Sequence, residues 1–333
     1  MSAPTNNALA IIVPAYKTKF LRETLASIAA QTDKNFQLYV FDDGSPEPIG
    51  EIVRELSTQL PLKFHRFENN LGRTSLVQHW ERCIRLTDEP WVWLFADDDL
   101  MEPGCVADFH AELARTQAAH ELYRFNTIWV NSAGARLREC PQHPVEESGA
   151  EFLLARLDGR RDVNLQEQIF SRSAWEQNGG IPEFPMGWHS DDAFCACLGV
   201  RRPLRLIPGA RVIWRASRFN ISGDNSYAVV NQKIITSTGY FRWVMRFFQA
   251  HAAPLSGEAA RCTERWLLNC ARTCWQFLDW RACRAVDAVG VEIWGHPRGW
   301  GLWLGLRLNS EMLAAKIAAH LGGRKKNPTD ARP

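Results

Sequence analysis

Residues 91–100 read WVWLFADDDL: five apolar residues, an alanine, three consecutive aspartates and a leucine. So short an apolar run, closed by charge, has the pattern of a strand buried on both faces in a parallel sheet. Three adjacent carboxylates at the end of such a strand repel one another unless a cation or hydrogen-bond donors compensate. Hard oxygen ligands of this kind suit Mg²⁺ or Mn²⁺, which take one or two carboxylates and complete their shells with water and phosphate. A solvated acidic turn, or an N-cap ahead of Leu100-Met101-Glu102, is the plainer use of the same residues.

Upstream the unit recurs. LAIIV at 9–13 is an apolar strand closed by Pro14, and Phe20–Gln31 sets Leu21, Leu25, Ile28 and Ala29 at helical spacing. FQLYVF at 36–41 is a second strand, stopped by Asp42-Asp43-Gly44-Ser45. Helices over Ile49–Leu60 and Ser75–Leu86, with a strand over Leu62–Phe67 between them, complete the alternation. Right-handed crossovers then give an α/β fold, a Rossmann-like, mostly parallel sheet flanked by helices on both faces.

Ligands of such sheets bind beyond the carboxyl ends of the strands. This chain places Pro14-Ala15-Tyr16, Asp42-Asp43, Glu68-Asn69-Asn70 and Asp97-Asp98-Asp99 there. Asp42 and Asp43 could accept from a ribose hydroxyl or a base N–H, although DDGSPEP is also ordinary turn composition. Asn70-x-Gly72-Arg73 adds a close-approach glycine, an amide and a guanidinium within reach of a phosphate.

Downstream, Glu121–Asn131 reads as one strand and Asn164–Arg172 as another, followed by a short helix from Ser173, so the sheet is expected to be mixed. The chain then becomes helical and rich in Trp and Arg. The expected division is 1–229 for the ligand-binding domain, 230–323 for a C-terminal helical region and 324–333 for a disordered polar tail.

Over 333 residues, 46% hydrophobic and 23% charged content is that of an ordinary globular chain. Lys+Arg 39 against Asp+Glu 37 leaves a formal charge of +2, which removes the basic excess that nucleic-acid binding demands. Nine cysteines without a zinc-site spacing read as reduced, buried thiols, and no basic n-region precedes a long apolar stretch, so a cytoplasmic location is expected. Trp294, Trp300 and Trp303 with Arg298, Arg307, Lys316 and Arg324-Lys325-Lys326 combine aromatic and basic groups. That pairing suits peripheral association with the inner face of a membrane as well as a helix-packing stripe.

In order and spacing, IIVPAYK at 11–17, LRETLASIAAQT at 21–32, FDDGSPE at 41–47, NNLGR at 69–73 and FADDDL at 95–100 resemble the family 2 glycosyltransferases. The likeness continues through QIFSRSAWEQNGGIPEFPMGWHSDDAF at 168–194 and covers the chain to about residue 225. It implies the A-type glycosyltransferase fold, a nucleoside-diphosphate sugar donor, and a glycan or lipid-linked acceptor in polysaccharide or lipopolysaccharide assembly. It also implies inversion by direct displacement.

Carried onto this chain, the resemblance puts Pro14, Tyr16, Asp42 and Asp43 around the nucleoside. Asp97 lies near the ribose or nucleotide with Asp98 beside it, Asp99 on the bridging metal, and Asn70 and Arg73 toward the phosphates. The acidic triplet holds the family's Asp-x-Asp metal motif, so Asp97 and Asp99 are the expected metal ligands. Asp191-Asp192 stands in the place of the pair that deprotonates the acceptor, and Asp192, which aligns with its second member, is the expected base, with Asp191 the alternative. One departure is evident: many members carry a metal-binding histidine after the later strand, where this chain has Trp214-Arg215. Either Arg215 or Arg218 binds the diphosphate in its place, or the metal is held more loosely than in those members. The rival readings are nucleotidyl transfer, for which a glycine-rich phosphate loop with a lysine is missing, and a non-catalytic nucleotide- or sugar-binding module.

Overall fold

The computed structural model describes residues 8–57, 61–277, 279–301 and 303. The first half alternates as expected: β1 (Leu9–Ala15), α1 (Leu21–Ala29), β2 (Gln37–Asp42), α2 (Ile49–Leu56), β3 (Leu62–Arg66), α3 (Leu76–Arg85) and β4 (Trp91–Leu94). The expected extension of α2 to Leu60 falls partly outside the described residues. There follow β5 (Leu100–Met101), α4 (Cys105–Arg115), β6 (Leu122–Arg124), β7 (Thr127–Asn131), β8 (Arg136–Glu139), β9 (Glu146–Glu147) and α5 (Gly149–Leu157). Then come β10 (Gln168–Ser171), α6 (Arg172–Gln177), α7 (Ser190–Arg201), β11 (Leu204–Leu206) and β12 (Val212–Ala216). Three long helices close the described chain: α8 (Tyr227–His251), α9 (Ser256–Phe277) and α10 (Trp280–Trp294).

The large sheet has the order β3-β2-β1-β4-β10-β6-β11-β9. β3, β2, β1 and β4 run parallel, while β10 is antiparallel to both of its neighbours. The two-residue period of β1 divides its side chains between two cores. Ala10 and Ile12 pack with Val77, Trp80 and Ile84 of α3, whereas Leu9, Ile11 and Val13 pack with Leu21, Leu25 and Ile28 of α1. Every carboxyl end of the parallel strands therefore opens on one rim.

Two expected strands are corrected. Glu121–Asn131 is not continuous: β6 belongs to the large sheet and β7 to a second sheet, ordered β5-β12-β7-β8. Phe125 causes the break by turning into the core against Trp93, ring centroids 5.2 Å apart, while the Asn126 side chain accepts from His143 N at 2.9 Å. Asn164–Arg172 is likewise a turn before it is a strand. Residues 165–167 form a 3₁₀ turn held by Trp93 Nε1 donating to the Gln166 carbonyl at 2.7 Å and Thr127 Oγ1 donating to Glu167 Oε2 at 3.0 Å.

Helices α5 and α7 cross glycine to glycine: a Cβ on Gly149 would collide with the Ala196 carbonyl, and one on Gly199 with the Gly149 backbone. The helices after residue 226 have no separate core. Tyr240, Phe241, Val244 and Phe248 of α8 are buried in the same cluster as Phe170 and Phe194. No described helix is long and apolar enough to cross a membrane. Arg307, Lys316, Arg324, Lys325 and Lys326, with the expected tail at 324–333, lie outside the described residues.

Candidate active site

At the rim, the acidic strand ends tie the loops together. Asp97 Oδ2 accepts from Tyr16 N at 2.8 Å and Lys17 N at 3.0 Å, so the turn after β4 holds the loop after β1. Asp43 accepts from Leu71 N at 2.9 Å and Gly72 N at 2.8 Å, and pairs with Arg82. A Cβ at Gly72 would lie 2.6 Å from Asp43 Oδ2, so this close approach requires glycine. Asp42 is different: it is fully buried, with Oδ1 accepting from Ser45 N at 2.8 Å and Oδ2 paired with Arg66. It builds the turn and does not line the cavity.

That cavity, of about 500 Å³, is lined by Pro14, Tyr16, Asp43, Asn70, Arg73, Asp97 and Asp98, as expected, and also by Lys17, Leu76, His79 and Trp80. Lys17 lay within the IIVPAYK stretch; Leu76, His79 and Trp80 sit on α3, where their apolar and polar spacing read only as a helix. Burial lowers His79 to about 3, so it stays neutral beside Asp43.

A second cavity of about 230 Å³ shares Leu76, Trp80, Ala96, Asp98, Leu165, Asn220 and Ile221 with the first, so the two are contiguous. Asp99, Trp188, Asp191 and Trp214 line only the second. Arg215 lines neither. It is 1% exposed, its backbone N donates to Asp99 Oδ1 at 2.8 Å, and its guanidinium donates to the Asp98 carbonyl at 3.0 Å and to Glu23 Oε2 at 2.6 Å. The expected diphosphate role is thereby corrected: the cation stands behind the triplet, with its donors already spent. Arg218 lines neither cavity.

Burial, then the charge of Asp97, pushes Asp98 up to about 7; burial and Asp98 raise Asp99 well above the usual carboxylate range, and burial raises Asp97. Among the described residues no group of three or more His, Cys, Asp or Glu is placed to hold a metal ion. Carboxylates crowded at one end of a cavity, short of cationic partners, fit a divalent ion held by one or two of them and otherwise by phosphate.

The Asp191-Asp192 pair separates in environment. Asp192 is 2% exposed; its Oδ1 accepts from Arg156 Nε at 3.0 Å and its Oδ2 faces His189 Nδ1 at 3.0 Å. Burial would raise it, but Arg156 and His189 outweigh burial and leave it lowered. Asp191 lines the second cavity, and burial together with the charge of Asp192 pushes it up to about 8. Sequence reasoning missed Arg156 on α5 and Ser237 on α8, whose hydroxyl lies 2.9 Å from His189 Nε2. No local signal marks either, since both reach the site only through helix packing.

A mixed α/β sheet flanked by helices, with acidic residues at the carboxyl ends of its parallel strands, is the A-type glycosyltransferase fold. Residues 10–166 match the family described as Glycosyl transferase family 2. A processive diacylglycerol beta-glycosyltransferase of Mycoplasma pneumoniae is 27% identical over 105 residues, 30% of this chain and 30% of that protein. An uncharacterised glycosyltransferase of Haemophilus influenzae is 26% identical over 164 residues, 49% of this chain and 54% of that protein. The matches thus span about a third to a half of those relatives' lengths. The structure of S. aureus TarS 1–349 in complex with UDP-GlcNAc superposes with a TM-score of 0.55 at 15% identity, over 85% of this chain and 86% of that one. The UDP complex of the same protein gives 0.51 at 16% identity over 97% and 95%. At these identities the likeness is one of fold.

Proposed function

We propose that this chain is a metal-dependent, inverting glycosyltransferase that moves one sugar from a nucleoside-diphosphate sugar to a hydroxyl of a glycan or lipid-linked acceptor in polysaccharide or lipopolysaccharide assembly. The observation that carries the reading is the continuity of the two cavities, with Asp98 lining both and Asp191 lining only the second. The nucleoside lies along Pro14, Tyr16 and the loop that Asp43 holds, and Asn70, Arg73 and Lys17 face its phosphates. Asp99 and Asp97, with Asp98 between them, would hold Mg²⁺ or Mn²⁺, which supplies positive charge for the departing diphosphate.

The sugar then sits at the junction, with the acceptor between Trp188 and Trp214, whose rings offer flat apolar walls to a pyranose. Asp191 takes the proton of the attacking hydroxyl. Direct attack from the side opposite the diphosphate inverts the anomeric centre, so no separate nucleophile is needed. Asp192, preferred from alignment alone, has both oxygens engaged and supports its neighbour instead.

The TarS complex supports UDP-sugars as the first donors to try, and the Mycoplasma relative supports a lipid-linked acceptor, for which a peripheral position at the cytoplasmic membrane face is the natural setting. The test is incubation with UDP-, GDP- and dTDP-sugars, Mn²⁺ and a panel of glycan and glycolipid acceptors. Release of free nucleoside diphosphate, with an inverted anomeric product by NMR, is expected. Pyrophosphate release would point to nucleotidyl transfer, and binding without turnover to a non-catalytic module. Asp99→Ala should abolish the Mn²⁺ dependence of donor binding in calorimetry; an unchanged dependence would remove the metal assignment.

A further inference from the structure

We infer that His189 is a positioning residue through which helix α8 decides which carboxylate of the Asp191-Asp192 pair faces the acceptor. The inference rests on the reading of that pair as the base site. His189 precedes α7 with φ 74°, and Met186 in the same turn has φ 63°. A left-handed backbone disfavours residues with a Cβ and persists only where the surroundings over-determine it.

Here the surroundings are one face of α8. Lys233, Ser237 and Tyr240 follow at i, i+4 and i+7, which aligns them along the helix. The Lys233 ammonium lies 4.9 Å over the Trp188 ring and donates to the Asp224 carbonyl at 3.0 Å. Ser237 Oγ lies 2.9 Å from His189 Nε2, and Tyr240 stacks on the imidazole at 4.1 Å with 5° between the planes.

The hydrogen bonds fix the tautomer. Asp192 is ionised against Arg156, so its Oδ2 needs a donor, and His189 Nδ1–H is the group in place at 3.0 Å. A neutral imidazole with its proton on Nδ1 has a bare Nε2 facing the Ser237 hydroxyl, whose single proton has the Lys233 carbonyl, also at 2.9 Å, as its other acceptor. Without that hydroxyl Nε2 is buried with no polar partner and the imidazole loses a contact that fixes its plane, so Nδ1–H is held less firmly on Asp192 and the first turn of α7 is less firmly oriented. Successive residues on that turn are about 100° apart, so a small rotation withdraws Asp191 from the cavity. His189 lines the second cavity too, but its ring nitrogens face Asp192 and Ser237.

The test is steady-state kinetics of the full chain with whichever donor turns over in the UDP-, GDP- and dTDP-sugar panel. Ser237→Ala and His189→Gln should each lower kcat by about tenfold or more with donor KM within about twofold, and Ser237→Thr, which keeps the hydroxyl, should restore it. The inference is overturned if both variants keep near-wild-type kcat while Asp191→Asn is inactive, if donor KM rises with kcat unchanged, or if Ser237→Thr is as slow as Ser237→Ala. An Asp191→Asn variant that turns over normally would instead remove the base assignment, and this inference with it.

Discussion

A carboxylate that faces a cavity and one that faces a guanidinium titrate in opposite directions even when they are neighbours in sequence. Asp191 is raised to about 8 by burial and the charge of Asp192, and a base works only when deprotonated. Transfer should therefore increase with pH through about 8 and level off above it. Asp191→Asn should remove that limb along with at least a hundredfold of the rate, read from kcat between pH 6 and 9.5. Asp192→Asn should instead cost about 3–5 kcal/mol in urea unfolding, because Arg156 loses its buried partner. The adjacent pair was legible in the sequence; which member faces the cavity was not, because that depends on the rotation of α7 set by Arg156, 36 positions away. The same limit applies to Asp42 and Asp43. Asp43→Ala should release Leu71 and Gly72 and weaken binding of free nucleoside diphosphate, whereas Asp42→Ala should lower stability more than affinity. Calorimetry beside a thermal melt separates the two, and equal loss of affinity in both variants would contradict the assignment.

Elements whose hydrophobic period is unbroken were the ones the sequence disclosed. β1 to β4 and the helices between them follow from alternation, and their carboxyl ends gave the donor-side rim. The division of Glu121–Asn131 between two sheets left no trace, because Tyr123 and Phe125 are equally apolar and both buried, so the period shows no switch. Packing between elements was equally silent, although it makes specific demands. Gly149 of α5 touches α7 where a Cβ has no room, and Arg156 lies two turns further along the same helix. Gly149→Ala should cost about 1–3 kcal/mol and slow transfer by moving Arg156 away from Asp192. Gly239 of α8 is the control, since a Cβ there meets nothing within 4 Å. Gly239→Ala should gain about 0.5–1 kcal/mol with kcat unchanged. Urea unfolding reads both, and a neutral Gly149→Ala would show that the helix crossing adjusts without harm.

At the scale of the whole molecule, the expected boundary near residue 229 marks a change in secondary structure more than a change of core. α8 begins at Tyr227, yet its buried residues share one cluster with α3, α7 and the large sheet. The Trp- and Arg-rich composition announced helices; it did not announce that those helices complete the N-terminal core, because an amphipathic face does not name its partner. A shared core ties the two regions thermodynamically. A ligand that binds only the folded state stabilises it by RT ln(1 + [L]/Kd), about 2.7 kcal/mol at a hundredfold excess over Kd. Nucleotide held at the sheet rim should therefore slow amide hydrogen exchange in α8 around Phe241 and Val244, although neither residue lines the donor cavity. Protection confined to the loops after β1, β2 and β4 would mean that the helices open independently. Protection that reaches α8 would mean that donor occupancy is felt, as a change in opening free energy, by the helix whose other face holds the turn beside Asp191.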